Sequence, residues 1–377
     1  MTTEEGSRIV RGRLVLDDSI VPGRLDLIDG RIAAIEPDDR DAAGPFVTPG
    51  FVDVHVHGWG GHDAMRSRAD LDGMARALLR RGVTSFLPTA VTASLDTLRA
   101  FADRVRAWSP VAPDDGAEPL GFNLEGPFIS PRRKGAQNPA FIAVPAEVPF
   151  EALEPLVPGM RIMTVAPEVP GALELIHWLV ARGIAASLGH SAATLDEAQA
   201  GYAAGGRTTT HLFNAMSGVD HHHPGLAVAA LADDAVYVEL IADGNHVLPS
   251  LWPLIFRTKP AGRVILVSDA LSIAGLGDGR AALGGLDVEC IGSRLTLAGT
   301  DTLAGSVIAL DSAVRNLVRT GFALPMAVAA ASRNPLALLG VMDRGRIEVG
   351  QRADLVELDD DLEVIGVLRA GERISPR

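Results

Sequence analysis

The stretch that decides the fold is FVDVHVHGWGGHD, residues 51–63, which follows Pro49-Gly50. Its apolar start predicts a buried strand, and its glycine-rich end predicts a loop. His55 and His57 are two residues apart, so on a strand both side chains point to the same face. Two imidazoles that converge at the end of a strand suit a divalent metal ion, although such a pair also arises by chance. Further ligands are needed to establish a site.

The composition of the 377-residue chain is that of a soluble globular protein, with 47% hydrophobic and 21% charged residues. The formal net charge is -13 and there is no long basic tract, which argues against a nucleic-acid partner. The first residues lack the apolar segment of a signal peptide, and no stretch approaches the roughly 18 apolar residues of a membrane span. A single cysteine, Cys290, excludes an intrachain disulfide and predicts a cytoplasmic location.

From residue 51 onward, predicted strands alternate with predicted helices. The capping box Ser67-x-x-Asp70 and the stop signal Gly82 predict a helix over 67–81, and Thr194-x-x-Glu197 begins another. Helices at 306–320 and 324–339 follow the last of these strands. Eight strands spaced about 20–40 residues apart are typical of a (β/α)8 barrel. The predicted strands are 51–57, 83–89, 120–125, 161–166, 184–190, 208–212, 237–243 and 264–269.

The two ends of the chain have the pattern of short strands and turns. Asp29-Gly30 lies between two alternating runs, which predicts a hairpin, and strands are predicted at 353–358 and 362–369. The predicted fold is therefore α/β, a TIM-like barrel over residues 49–340. Residues 1–48 and 341–377 are expected to form a small β-domain together.

Residue types that bind metal ions stand at the carboxyl ends of five predicted strands. In a parallel barrel these ends meet at one face, where active sites lie. Each residue alone could be a buried histidine or a capped carboxylate, but six of them in one register predict a metal site. They are His55, His57, Glu125, His190, His211 and Asp269.

Several motifs resemble those of the N-acetylglucosamine-6-phosphate deacetylases, a family of the amidohydrolase superfamily. They run in the expected order from about residue 48 to 358: PGFVDVHVHG, NLEGPFISPRRKGA, GHSAAT, THLFNAM, ADGNHV, LVSDA, LAGS and SRNPLALLG. The resemblance implies a metal-bearing barrel with a β-sandwich domain from both termini. It also implies hydrolysis of the acetamide of an N-acetyl amino sugar, with N-acetylglucosamine 6-phosphate as the leading substrate. A homodimer is expected, in which His246 can reach the pocket of the neighbouring subunit.

The resemblance assigns the metal ligands. Glu125, His190 and His211 match the ligands of the ion that every member of the family needs. His55 and His57 match a second position that some members lack, with Glu125 as the bridge between the two. One or two divalent ions are therefore expected; zinc is favoured, and iron, manganese or cobalt also suit these ligands.

Catalytic and substrate-binding roles follow from the same resemblance. Asp269 matches the catalytic aspartate, and we expect it to take a proton from the attacking water and deliver it to the leaving amine. A bound divalent ion would lower the pKa of that water towards roughly 7 and polarise the amide carbonyl. His246 matches a residue that contacts the substrate, and Asn214 and Ala215 match a stretch that holds it.

Two positions of the substrate pocket depart from the family pattern. Gln137 stands where the family usually has a histidine that orients the acetyl carbonyl, and His222 stands where it usually has an arginine that pairs with the sugar phosphate. An arginine offers a permanent charge and a two-pronged hydrogen-bonding group, whereas a histidine offers one donor and is mostly neutral at pH 7. His222 could belong to a solvated loop, or it could bind phosphate with help from Arg132, Arg133 or Lys134.

The two departures also leave a changed substrate open, such as an unphosphorylated N-acetyl sugar or another N-acyl compound. A catalytically silent binding protein is a further alternative. It is disfavoured because such a protein would be expected to have lost a metal ligand or Asp269, and none is missing.

Overall fold

The computed structural model describes residues 7–374, and they form a parallel barrel and a terminal sheet. The strands are β1 (Ser7–Val15), β2 (Ile20–Ile28), β3 (Arg31–Pro37), β4 (Phe46–Pro49), β5 (Phe51–Val56), β6 (Gly58–Trp59), β7 (His62–Asp63), β8 (Val83–Ala90), β9 (Glu118–Pro119), β10 (Phe122–Leu124), β11 (Met160–Val165), β12 (Ala185–Leu188), β13 (Thr208–Thr209), β14 (Tyr237–Leu240), β15 (Val264–Leu266), β16 (Gly279–Leu283), β17 (Leu286–Ile291), β18 (Arg294–Leu297), β19 (Leu355–Leu358), β20 (Val364–Arg369) and β21 (Glu372–Ile374). The helices are α1 (Arg68–Leu79), α2 (Leu95–Trp108), α3 (Ala172–Val180), α4 (Leu195–Ala203), α5 (Leu226–Ala232), α6 (Trp252–Thr258), α7 (Leu310–Arg319), α8 (Leu324–Ala331) and α9 (Arg333–Leu339).

The predicted barrel is confirmed. Its strands pair in parallel in the order β5-β8-β10-β11-β12-β13-β14-β15. The backbone N–H of Asp269, just beyond β15, donates to the carbonyl of His55 at 2.9 Å and so links the last strand to the first. Every residue of β5 is buried, because Val52 and Val54 belong to an interior cluster while Phe51 packs in the larger core that contains the helices. The apolar run around residue 51 is therefore a barrel strand covered on both faces.

Two features of the helical layer differ from the prediction. The expected helix over 324–339 is two helices, because the chain breaks at Ser332 (φ -133°, ψ -83°). Pro335 lies just beyond that break and has no N–H for a continuous helix. The helix that precedes this pair begins at Leu310, whereas the sequence predicted a start at residue 306.

An antiparallel three-stranded sheet, β16-β17-β18, follows the last barrel strand and was missed in the sequence. Residues 286–290 (LDVEC) and β18 (RLTL) alternate apolar and polar side chains, so a period-2 signal was present in the sequence, and only β16 (GRAAL) lacks it. The sheet matters for the site, because Leu283 at the end of β16 lines the substrate pocket.

The terminal sheet contains strands from both ends of the chain, in the order β21-β20-β19-β4-β1-β2-β3. The hairpin predicted at Asp29-Gly30 joins β2 to β3, and both turn residues have positive φ (49° and 74°). Val10 and Leu25 from the first part pack in one cluster with Leu355 and Leu368 from the last. The domain boundaries after residues 48 and 340 stay predictions. Within the described range no helix combines the length and apolar character needed to cross a membrane.

Candidate metal centre and active site

The structure brings the six predicted ligands together at the carboxyl ends of the barrel strands. Five of them form two groups of three that share Glu125, and in each group the ligand atoms lie within 4.8 Å of one another. The sets are His55, His57 and Glu125, and Glu125, His190 and His211, with Asp269 beside the first set.

The group that contains His190 and His211 is the tighter of the two. The Nε2 atoms of these histidines each lie 2.9 Å from Oε1 of Glu125 and 3.1 Å from each other. All three side chains are almost fully buried. Three ligand atoms around one point, with a pocket on the open side, match a metal site that keeps a position free for water or substrate.

In the second group His57 lies on the other oxygen of the same carboxylate, while His55 Nε2 is 3.6 Å from Oε1. His57 Nε2 is 3.3 Å from Glu125 Oε2 and 3.3 Å from His55 Nε2. Asp269 Oδ1 is 3.1 Å from His57 Nε2 and 3.5 Å from His55 Nε2. Glu125 therefore faces both groups, in the arrangement of a bridging carboxylate.

The hydrogen bonds behind the histidines show that their Nε2 atoms are prepared for a cation. Nδ1 of His57 lies 3.1 Å from the carbonyl of Thr89, and Nδ1 of His190 lies 3.0 Å from the carbonyl of Arg133. A carbonyl only accepts, so each Nδ1 carries the proton and each Nε2 of the neutral ring presents a lone pair. Lone pairs that face a carboxylate repel it unless a cation lies between them. These residues fit a divalent ion.

The same electrostatic field shifts the pKa values of the ligands in the metal-free chain. Burial lowers the pKa of His57, but the carboxylates of Asp269 and Glu125 outweigh burial and raise it to about 9. Burial raises the pKa of Glu125, but His190 and His55 outweigh it and bring the pKa well below the usual range. Both shifts show a centre that attracts positive charge, whether protons or a metal ion.

Several ligands are held by unusual backbone geometry. His190, His211 and Asp269 have φ angles of 46°, 28° and 50°, in the left-handed region that non-glycine residues seldom adopt. Each such residue costs on the order of 1–3 kcal/mol, and such strain tends to cluster at functional sites. It also explains why the regular strands end just before these ligands.

Two buried carboxylates behind the ligands were missed in the sequence. Glu239 on β14 accepts hydrogen bonds from Nδ1 of His55 and from the backbone N–H of His211. Asp53 on β5 accepts from the backbone N–H groups of His55 and Ser268, both at 3.3 Å, and burial raises its pKa to about 7. An acidic residue inside an otherwise apolar barrel strand was the available signal, since a buried charge is costly unless it is compensated.

A pocket of about 560 Å³ opens onto the ligands, and most predicted substrate residues line it. Those residues are Arg133, Lys134, Gln137, Asn214, Ala215 and His246, together with Arg132. His222 does not line this pocket. It is exposed, and its backbone N–H bonds to the carboxylate of Asp220 at 2.8 Å.

Two of the lining residues have a fixed orientation. Oε1 of Gln137 accepts the backbone N–H of Thr92 at 2.8 Å, which leaves its Nε2 to donate to Oε2 of Glu125. Nδ1 of His246 lies 2.7 Å from Oδ2 of Asp243, another residue that the sequence analysis missed. Hydrogen bonds from His246 outweigh burial and lower the pKa of Asp243.

Comparison with known proteins agrees with this geometry. The amidohydrolase family model matches residues 46–374. The chain belongs to the amidohydrolase family. The chain is 37% identical, over 98% of its length and 100% of the relative, to an N-acetylgalactosamine-6-phosphate deacetylase of Escherichia coli O157:H7. It is 36% identical to the N-acetylglucosamine-6-phosphate deacetylase of Bacillus subtilis, over 93% of each chain.

Solved structures give the same result. The N-acetylglucosamine-6-phosphate deacetylase of Thermotoga maritima superposes with a TM-score of 0.91 at 34% identity, covering 97% of this chain and 99% of that one. A mutant of the Mycobacterium smegmatis enzyme, solved with N-acetyl-D-glucosamine 6-phosphate, gives 0.89 at 35% identity over 98% and 100%. The predicted family resemblance is confirmed, and this family member is a metal-dependent amide hydrolase.

Proposed function

We propose that this enzyme removes the acetyl group of N-acetylglucosamine 6-phosphate, giving glucosamine 6-phosphate and acetate. The observation that carries the proposal is the pair of ligand groups around Glu125 at the base of a pocket of about 560 Å³. That volume suits a small ligand. The relatives named for this activity support the same substrate.

The side chains of the site have separate roles in the proposed amide hydrolysis. The two ligand groups would hold a divalent ion, whose chemistry there would be to activate a water molecule and to polarise the acyl carbonyl. Asp269 takes a proton from the attacking water at Oδ1 and delivers it to the leaving nitrogen. In the metal-free chain burial raises the pKa of Asp269, but the hydrogen bond from protonated His57 outweighs burial and lowers it, so the carboxylate is ionised. Gln137 is placed to donate its second amide hydrogen towards the substrate carbonyl.

We propose two divalent ions for each chain, with zinc favoured. The two ligand groups share Glu125 and both are complete. Four imidazoles and a shared carboxylate suit zinc, and the same ligands accept iron, manganese or cobalt. Elemental analysis of the purified enzyme tests the number and the identity of the ions.

The phosphate is proposed to lie against the basic side of the pocket. Arg132, Arg133 and Lys134 line it, in a chain whose net charge is -13. A local cluster of cations in an acidic protein attracts an anionic substrate to one place. Asn214, Ala215 and His246 line the same pocket and are proposed to hold the sugar.

A second candidate substrate is N-acetylgalactosamine 6-phosphate, which differs only in the configuration at C4. The E. coli relative with that name is matched over 100% of its length.

The experiment that tests the function is a comparison of kcat/KM on the two 6-phosphates and on unphosphorylated N-acetylglucosamine, with metal-replete enzyme. We expect a preference for the phosphorylated sugars of about a hundredfold, equal to roughly 2.7 kcal/mol of transition-state binding. Equal rates with and without phosphate would contradict the phosphate assignment. A larger value on the C4 epimer would favour the second candidate.

We propose that the enzyme is a homodimer. Val219 and Leu248 are 62% and 60% exposed, and Leu251 and Leu254 are also exposed. These apolar side chains lie on and beyond the loops that follow two neighbouring barrel strands, β13 and β14. Light scattering on the wild type and on Leu248→Glu tests the proposal. We expect a dimer for the former and dissociation for the latter, with Leu276→Glu, another exposed leucine, as the control.

If the dimer brings His222 to a neighbour's pocket, His222→Ala should raise KM for the phosphorylated sugar and leave KM for the unphosphorylated sugar unchanged. No change in KM for either sugar would indicate a solvated loop with no part in phosphate binding.

A further inference from the structure

Glu239 occupies a position that the hydrolytic mechanism does not use. Its side chain is fully buried on β14, between the strands that precede His211 and Asp269. One oxygen, Oε2, lies 3.0 Å from Nδ1 of His55 and 3.1 Å from the backbone N of His211. The carboxylate therefore contacts one ligand from each of the two metal groups.

The contact with His55 determines which nitrogen of that ring binds metal. An ionised carboxylate only accepts, so Nδ1 of His55 carries the proton and Nε2 is left with its lone pair towards His57 and Glu125. A carboxylate behind a histidine also makes the ring a stronger base than a carbonyl does, because it carries a full charge. Nδ1 of His57, the other histidine of this group, lies against the carbonyl of Thr89 instead.

The other oxygen of Glu239 indicates that the negative charge of this carboxylate is balanced by positive charge at the metal centre. Oε1 is buried and has no hydrogen-bond partner among the described residues. A fully buried carboxylate with one unpaired oxygen is costly unless positive charge lies nearby. No lysine or arginine in the described part of the chain forms an ion pair with it, and its only charged-type partner there is His55. A metal ion bound to His55 would supply the missing charge.

We propose that Glu239 is a positioning residue that makes the His55–His57 position a working metal site. It fixes the tautomer of His55 and raises the basicity of that ring. It also anchors the backbone of His211, where φ is 28°. Glu239 thereby links the His55–His57 group to the group that contains His190 and His211. This inference rests on the proposed metal-dependent function.

The experiment measures metal binding rather than turnover. Apo-enzyme is titrated with zinc against a chelator of known affinity, for wild type, Glu239→Gln, His55→Ala and the double variant. Glutamine keeps the shape of the side chain and can still accept the N–H of His211, but it lacks the negative charge. We therefore expect the ion at the His55–His57 group to bind about 10–100-fold more weakly than in wild type, and the other ion to keep its affinity. In the His55→Ala background the same substitution should change the remaining ion's affinity by less than about threefold.

A matched control and a second variant separate the inference from simple misfolding. Asp311→Asn removes another buried carboxylate, which pairs with Arg81 and Arg315 rather than with a candidate ligand, and should leave both zinc affinities unchanged. If Glu239→Gln does not fold, Glu239→Asp keeps the charge but withdraws it by one methylene group, and should also weaken the second ion.

Several outcomes would overturn the inference. One is wild-type affinity for both ions in both Glu239 variants. Another is an equal loss in the wild-type and His55→Ala backgrounds, since that would place the effect outside the His55 position. A third is a wild-type enzyme that binds a single ion whose affinity is the same in His55→Ala. That result would not contradict the proposed hydrolysis. A wild-type chain that binds no metal at all would instead refute the proposed function.

Discussion

Nε2 of Gln137 donates a hydrogen bond to Oε2 of Glu125, the carboxylate that both metal groups share. The amide group of Gln137 cannot flip, because its Oε1 accepts the backbone N–H of Thr92 at 2.8 Å. At this position the resemblance implies a histidine, which can titrate. Here a neutral amide is fixed against a metal ligand, with its second N–H free for the substrate.

Replacing Gln137 by Leu is expected to lower kcat/KM for deacetylation by about 10–100-fold. The substitution removes a hydrogen bond to a charged group and leaves the N–H of Thr92 without a partner, each worth on the order of 1–3 kcal/mol. Steady-state kinetics with metal analysis of the same samples measures the effect. Gln137→His restores a donor and should recover more activity than Leu; equal activity of the two variants would contradict a role for the donor.

Asp269→Asn is expected to reduce kcat by about 10²–10⁴-fold while the protein still binds metal, because the amide cannot take a proton from water. The ligand groups around Glu125 do not include Asp269, so elemental analysis should still find metal in the variant. Full activity of this variant would remove the aspartate from the mechanism. Loss of all bound metal would instead make Asp269 an essential ligand.

Most of the fold, and the meeting of the six candidate ligands at one face of the barrel, could be predicted from the sequence, for physical reasons. Parallel strands covered on both faces are continuous apolar runs, and their carboxyl ends meet, so His190 and Glu125 could be placed together although they are 65 residues apart. The partners of the ligands were harder to predict. Glu239 and Asp243 are single acidic residues whose importance depends on which nitrogen of a histidine they face, and spacing along the chain does not encode that.

The position of His222 shows the same limit. Counting along the motif placed it where the resemblance implies a phosphate-binding arginine, but in this structure it is exposed and absent from the pocket lining. Sequence spacing gives a position on a loop and does not say which pocket the loop faces.

Asp243→Asn is expected to raise KM for the sugar phosphate by about tenfold with a smaller change in kcat. Asp243 Oδ2 lies 2.7 Å from Nδ1 of His246, which leaves Nε2 of this pocket residue for the proposed contact with the substrate. Losing an oriented hydrogen bond to a charged partner costs on the order of 1.5 kcal/mol. The kinetic comparison with His246→Ala checks the assignment, since both variants and the double variant should show similar losses. Additive losses in the double variant would mean that the two residues act independently.

Arg344→Met is expected to lower the free energy of unfolding by about 3 kcal/mol, because it breaks a buried ionic network. Its side chain is only 9% exposed and lies 3.0 Å from Glu118 Oε2 and 3.6 Å from Asp354 Oδ2. Glu118 belongs to β9 beside the barrel, and Asp354 directly precedes β19 of the terminal sheet, so the guanidinium joins the two parts of the structure. The carboxylates raise the pKa of Arg344 further above its ordinary value, although burial acts against them, so its charge is permanent.

The matched control for this prediction is Arg280→Met. Arg280 pairs with Glu289 at 3.0 Å, but its side chain is 73% exposed, and an exposed pair of this kind contributes about 0–1 kcal/mol. Denaturant unfolding of both variants at the same metal loading measures the difference. Equal stability losses would mean that the Arg344 network contributes no more to the free energy of unfolding than a surface ion pair does.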